Sequence, residues 1–532
     1  MASPMPHATD PDRPKPWWAT RCYSVLVSLL LAVPLLWPAI PPLTDIFGHL
    51  ARYTIVERIG TSPYLHQWFA THWQLSGNLG VDLIAAAFDP AFDIVLVTKI
   101  TMIATAVLTG GGMLFVAREA HGRLPPTAPF ALPLVFGMPF HYGFLNYSLS
   151  VALVFPAIAL WLRLGLRRGL RRDRGIVRAA LFVPLSLAIW ITHLAGWGLL
   201  GLTVFAIELA TARRDGTPYW RAVIACLPLA APLALLLFQP TGPATIGISH
   251  WFDGSLKVLF VLAVLRDQNA VFDIASAALL YILVVFGLRG MGFRMEPRLA
   301  CAAAAVFAAF LLLPGMIMGS ALADMRVLPC ALALAILSLS PTNTAQRNLD
   351  LLAIAALAFL GLRLAVQTIG WARTATLQQE QLAALDHIPR GSRVFVLVTL
   401  PCESAWSSRR MDHLGLMAIV RRDAFANGMW NMPSSQLTVH RPDATGFVYA
   451  GSQTLFPAGC RYDPRYDLPR ALATMPRAAF DFVWLIDTPR ADWPNDRGLH
   501  RIWSGNRGAL YRIAHRPIRA LPPAPAATIP RL

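Results

Sequence analysis

Apolar runs long enough to cross a lipid bilayer recur between residues 22 and 370, and alternate connections between them carry clusters of arginine. A backbone in hydrocarbon has no water to satisfy its amides, so such runs fold as helices. The chain is therefore read as an α-helical polytopic membrane protein. Of its 532 residues 55% are hydrophobic and only 14% charged, against about 25% charged in soluble domains. The formal charge of +17 sits in short clusters between apolar segments rather than on one continuous face, which is a topology signal and argues against a nucleic-acid partner.

Taken in order, residues 1–21 form a polar tail in which Arg13, Lys15 and Arg21 precede the first span, which predicts a cytoplasmic N-terminus. Residues 22–40 read as an uncleaved anchor and 41–93 as a large first external loop, rich in aromatic residues. Further spans are expected at 94–117, 126–140, 143–164, two within 176–212 that turn at His193, and then 227–238, 272–288, 299–318, 327–339 and 351–370. The count is about eleven, so residues 22–370 form the transmembrane domain. The strongest charge cluster, from Arg163 through Arg167, Arg168, Arg171, Arg172 and Arg174 to Arg178, is expected on the cytoplasmic side. The external segment 239–271 is expected to carry a surface helix at 256–265.

An odd number of spans places residues 371–520 outside. There an amphipathic helix at 374–386 leaves the membrane, strands are expected at 393–399, 445–450, 480–487 and 509–513, and residues 413–425 have helical spacing, which together suggest a small α/β domain. Residues 521–532 read as a disordered tail. Of six cysteines, none has metal-ligand spacing, and Cys402 and Cys460 would form a disulfide if this domain lies outside the cytoplasm.

One stretch carries candidate chemistry. Asp45, His49 and Arg52 stand at i, i+4 and i+7 and would share one face of a helix starting near Asp45. Glu57, His72, Asp82, His141, His193, Asp324 and Arg326 likewise fall at outer span ends or in outer loops. Taken singly, most of these are more often interfacial residues than functional ones, but Asp45, His49, Asp324 and Arg326 rise above that because each sits immediately at a span end within a short motif; a one-sided cluster of ionisable groups at membrane depth is the stronger signal. Aspartate there suits a general base or a divalent ion, while arginine and histidine suit a phosphate. No P-loop, GxSxG or HExxH pattern is present.

The segment Pro42-Leu43-Thr44-Asp45-Ile46-Phe47-Gly48-His49-Leu50-Ala51-Arg52 resembles the Pro-Leu-x-Asp-x-x-x-His-Leu-Ala-Arg motif of bacterial membrane proteins related to the C-type (GT-C) glycosyltransferase superfamily. The layout of one span, a large external loop opening on an aspartate motif, many spans and an external domain is similar to that superfamily over nearly the whole chain. The resemblance implies a bacterial inner-membrane transferase taking a sugar from a polyprenyl-phosphate donor to an extracytoplasmic acceptor, with Asp45 as base. It implies His49, Arg52, His193 and Arg326 as ligands of the donor phosphate, with His141 and Asp324 as further substrate-side residues. A divalent cation, magnesium or manganese, would be held by Asp45 with Asp82 or Glu57. Ile46 stands where many relatives carry a second acid, a departure that weakens the case for a metal. Two other readings use the same residues: a flippase of lipid-linked saccharide, and a non-catalytic scaffold that kept the fold.

Overall fold

The computed structural model describes residues 16–88, 91–166, 173–236, 248–249, 251–317, 320–342, 345–402, 405–431, 436–457, 459–460 and 466–514. Arg167, Arg168, Arg171, Arg172, the first fifteen residues and the 521–532 tail lie outside these. In chain order the main helices are α1 (Arg21–Leu30), α2 (Ile46–Arg58), α3 (Gly80–Phe88), α4 (Ile94–His121), α5 (Leu145–Leu166), α6 (Asp173–Thr192), α7 (Leu194–Arg214), α8 (Gly254–Leu262), α9 (Ala270–Leu288), α10 (Pro297–Leu312), α11 (Leu328–Leu337), α12 (Gln346–Leu382) and α13 (Met417–Arg422).

Among the described residues six helices are long and apolar enough to cross a membrane, namely α4, α5, α6, α7, α9 and α12; five further apolar helical stretches have 10–17 residues. Several expected spans thus fold differently. Residues 22–40 break after α1 into a separate turn, Val33–Leu36, at Pro34. Residues 126–140 form a 3-10 helix, Ala128–Phe136, buried on every side, because Pro129 and Pro133 remove the amides a continuous α-helix needs. The 227–238 region begins as a 3-10 turn, Leu227–Ala230, followed by a four-residue helix, Leu233–Leu236. Residues 327–339 become α11, only ten residues and wholly buried. Residues 351–370 and 374–386 are not two helices: α12 runs unbroken for 37 residues.

Packing in the bundle follows membrane rules. Along α4 the hydroxyls of Thr101, Thr105 and Thr109 each donate to the carbonyl four residues back, at 2.7–2.8 Å, so these three buried hydroxyls are satisfied within the helix. Gly112 lets α4 approach α5 closely, since a Cβ there would lie 2.8 Å from that of Phe155.

The C-terminal domain is a sheet of six strands, β1 (Arg393–Thr399), β2 (Phe425–Ala426), β3 (Thr454–Leu455), β4 (Phe482–Ile486), β5 (Leu499–Ser504) and β6 (Ala509–Ile513). Their order is β3-β1-β4-β6-β5, with β2 also pairing β1; β1, β2, β3 and β4 run parallel and β6 antiparallel to its neighbours. The 445–450 strand is not formed, because Gly446 turns the chain at φ 87°. Cys402 and Cys460 are joined by a disulfide. The domain is stitched to the membrane part: Phe69–Thr71 of the first loop pairs antiparallel with Leu437–Val439, and α13 packs on α2.

Candidate functional site

Pro41 and Pro42 keep the chain extended as it leaves the first apolar segment. The next amides are satisfied across the bundle, Thr44 N donating to His141 O (3.1 Å) and Asp45 N to Tyr142 O (2.9 Å). Gly143 then turns at φ 79°, and a Cβ there would lie 3.1 Å from Asp45 N, so this close approach requires glycine. The effect is to clamp Asp45 at the N-cap of α2. An aspartate in that position ordinarily accepts from the first-turn amides; Asp45 makes no such bond, which leaves its carboxylate free to face elsewhere.

It faces His413. Asp45 Oδ1 lies 3.9 Å from His413 Nε2, and Asp412 Oδ1 lies 3.8 Å from the same nitrogen. The ring is oriented by Gln453, whose amide nitrogen donates to His413 Nδ1 (2.9 Å) and to Asp412 Oδ1 (3.2 Å). Flipping that amide would set its oxygen against the Asp412 carboxylate, so the orientation is fixed electrostatically. With Nδ1 accepting, the proton of the neutral ring sits on Nε2, directed at the two acids. Trp430 stands edge-on to both His413 (5.4 Å between centroids) and His49 (4.9 Å). Gly48 makes room for it; a Cβ there would come 2.7 Å from the indole.

Burial pushes the Asp45 carboxyl up to about 6, opposed by His413 and Arg326 and reinforced by Asp412. Burial, with the Arg52 charge beside it, holds His49 well below its usual range. Labelling of Asp45 by a hydrophobic carbodiimide, which attacks the protonated acid, is expected to fall with a midpoint near pH 6. Peptide mass spectrometry reads this directly; a midpoint near 4 would contradict the buried setting.

On the other flank stand Arg326 and His193. His193 caps α7, its Nδ1 accepting from Ala195 N (3.1 Å), while Arg326 Nη1 lies 3.1 Å from His193 Nε2. Arginine only donates, and a neutral imidazole offers one lone pair, so both contacts cannot be hydrogen bonds at once. Arg326 is buried, its Nε has no partner, and no carboxylate pairs with it among the described residues. Its Nη2 donates to Ala321 O (3.0 Å) and its guanidinium lies 4.0 Å from the Phe144 ring centroid. Asp324, two residues away, is instead held by Lys257 (2.6 Å), whose ammonium also donates to the Phe310 and Leu313 carbonyls. A crevice lined by Arg326, Tyr147, Thr109, Val151 and Cys330 runs inward from this pair.

The structure thus brings Asp45, His49, His193 and Arg326 to one end of the bundle, and sorts the other expected residues elsewhere. Arg52 is turned to Asp82: it is 2% exposed and ion-paired with that carboxylate at 2.7 Å, and Asp82 also accepts from Asn146 (3.0 Å). Glu57 lies three turns along α2 from Asp45, about 18 Å at about 1.5 Å per residue. Asp45, Asp82 and Glu57 therefore do not fit a shared divalent ion, and no group of three or more metal-ligating side chains occurs among the described residues. His141 is buried beside Arg410, which pairs with Asp267. Asp412, His413, Gln453 and Trp430 are not singled out by the sequence; the one hint is that His413, directly after an aspartate, opens the 413–425 segment with helical spacing.

No protein-family model and no curated protein matches the chain. Among solved structures it is similar to the crystal structure of ArnT from Cupriavidus metallidurans bound to undecaprenyl phosphate, at 13% identity over 92% of this chain and 96% of that one, with a TM-score of 0.48.

Proposed function

We propose that this end of the bundle is the active site of a membrane-integral transferase that moves a glycosyl group from a polyprenyl-phosphate donor to an acceptor hydroxyl. The observation that carries the reading is the unsatisfied pair of Arg326 and His193. A phosphate oxygen between them accepts from Arg326 and from His193 Nε2–H, which frees Nδ1 to accept from Ala195 N and removes the donor conflict. Undecaprenyl phosphate is the ligand in the ArnT structure; for this chain the lipid phosphate is inferred from its own arginine and histidine and from the motif resemblance at Asp45.

In the reaction the acceptor oxygen attacks the anomeric carbon as its proton passes to Asp45. The bond from that carbon to the phosphate oxygen breaks, and its electron pair leaves with the lipid phosphate, held by Arg326. His413 Nε2–H, fixed by Gln453, steadies the carboxylate before transfer. The Cys402–Cys460 disulfide suits an oxidising, extracytoplasmic location for this side of the protein.

Arg326→Lys keeps the charge but loses the fork, and is expected to weaken donor use about tenfold, while Arg326→Ala weakens it about a hundredfold. Kinetics with polyprenyl-phosphate sugars in proteoliposomes would measure both. Lipid reorientation without glycosidic-bond formation in the wild type would favour the flippase reading instead.

A further inference from the structure

At the opposite end of the bundle lies a second cleft, unconnected with the proposed chemistry. Lys99, near the start of α4, donates to Leu36 O (3.0 Å) in the segment that leads into Asp45, so the start of α4 lies at the Asp45 end. The 28 residues of α4 then run about 42 Å, a full bilayer, to His121. The cleft there is lined by Trp18, His121, Arg123, Arg294, Ser340 and Leu349, with Pro125 and Pro126 forming one wall.

Its charge is one-sided. Arg294 sits opposite Ser340 in the antiparallel pair Phe293–Met295 and Leu339–Pro341, so their side chains share one face, turned to the cleft. Arg123 follows the left-handed turn at Gly122, from the end of α4. Neither arginine has an acidic or hydrogen-bonding partner among the described residues. Of the acids at this end, Glu296 accepts from Arg298 (2.6 Å) and from Leu299 N (2.9 Å), and Asp350 accepts from the Trp18 indole (3.0 Å) and Gln346 (2.8 Å); neither of these, nor Glu119 of α4, lines the cleft. His121 Nε2 donates to Leu337 O (2.9 Å). Two unpaired guanidiniums and a serine hydroxyl thus converge between helix ends, beside the buried Trp18.

We propose that this cleft binds the phosphodiester headgroup of an anionic phospholipid from the leaflet opposite the Asp45 site. Arg123 and Arg294 take the phosphate oxygens and Ser340 donates to a third, while the acyl chains leave along the apolar flank of α12. Basic pockets between span ends on one membrane face are a recurring form of lipid recognition.

The test uses the full chain in a mild detergent, titrated by native mass spectrometry with dioctanoyl phosphatidylglycerol, dioctanoyl phosphatidylcholine and inorganic phosphate. Phosphatidylglycerol is expected to bind at one site, and the Arg123→Gln/Arg294→Gln pair to weaken it about tenfold. Arg347→Gln, exposed at the same end but outside the cleft, should leave binding unchanged. Equal binding of phosphatidylcholine, or unaltered phosphatidylglycerol binding in the double variant, would overturn the proposal. Displacement by millimolar inorganic phosphate would make it a free-anion site and overturn the lipid assignment. Should the double variant not purify, Arg294→Gln alone, on an exposed strand position, gives the same comparison with a smaller factor.

Discussion

Asp45→Asn is expected to lower glycosyl transfer about 10²- to 10⁴-fold, the range associated with loss of a positioned general base, and at the same time to make the protein more stable above pH 6. The two effects share one cause. Burial raises the Asp45 carboxyl from an ordinary 3.8 to about 6, so the folded state holds that proton more tightly than the unfolded chain. Between about pH 4 and pH 6 the native state binds more protons than the unfolded one, so stability falls as pH rises, and above pH 6 the deficit persists. The carboxylate is 23% exposed, so the relief on removing its charge is on the order of 1–2 kcal/mol. Thermal unfolding of wild type and variant at pH 7.5 and pH 4 measures it: the gap should be present at the first and nearly vanish at the second. An acid kept for packing would behave oppositely, losing stability without loss of turnover. Full transfer by the Asn variant would remove Asp45 from the chemistry.

The largest stability effect is expected at a pair that performs no chemistry. Asp82→Ala leaves Arg52 buried without its counter-charge, and breaking such a pair costs about 3–5 kcal/mol. It also strips Asn146 of an acceptor in the connection between α3 and α5. Arg52→Leu with Asp82→Leu removes both charges together and is expected to recover most of the loss, as apolar replacements of buried pairs commonly do. Chemical denaturation in detergent, followed by tryptophan fluorescence, would rank the single and double variants. A single variant as stable as wild type would mean that water reaches Arg52.

Arg52 shows what local sequence can and cannot disclose. Its position seven residues after Asp45 was readable, and both residues do belong to one helix; its partner lies thirty residues on, and only the packing of α3 against α2 reveals the pair. His193 was legible because the apolar stretch around it is too long for one helix and had to turn there. The strands 393–399 and 509–513 were legible from β-branched and aromatic runs, whereas β5 was not, since His500 and Arg501 interrupt its apolar pattern. Spans rich in proline misled, because hydropathy records whether a segment is buried and not whether its amides can close a helix. Half of the site, Asp412, His413, Gln453 and Trp430, comes from the C-terminal domain, where no local spacing relates them to a residue near the start of the chain.

The unbroken helix α12 has a consequence for that union. Its 37 residues reach about 55 Å, well beyond the roughly 30 Å of hydrocarbon, so the same rod is held inside the bundle by Arg363 and Asp273 and outside it by Gln378 and Glu380, which bond to Arg410 O and Asn506 N. Each residue added to such a rod rotates everything beyond it by about 100°. The angular phase at which the sheet domain presents His413 to Asp45 is therefore written in a residue count, and one insertion between the two anchor points would dephase the halves of the site although every side chain in it remained intact.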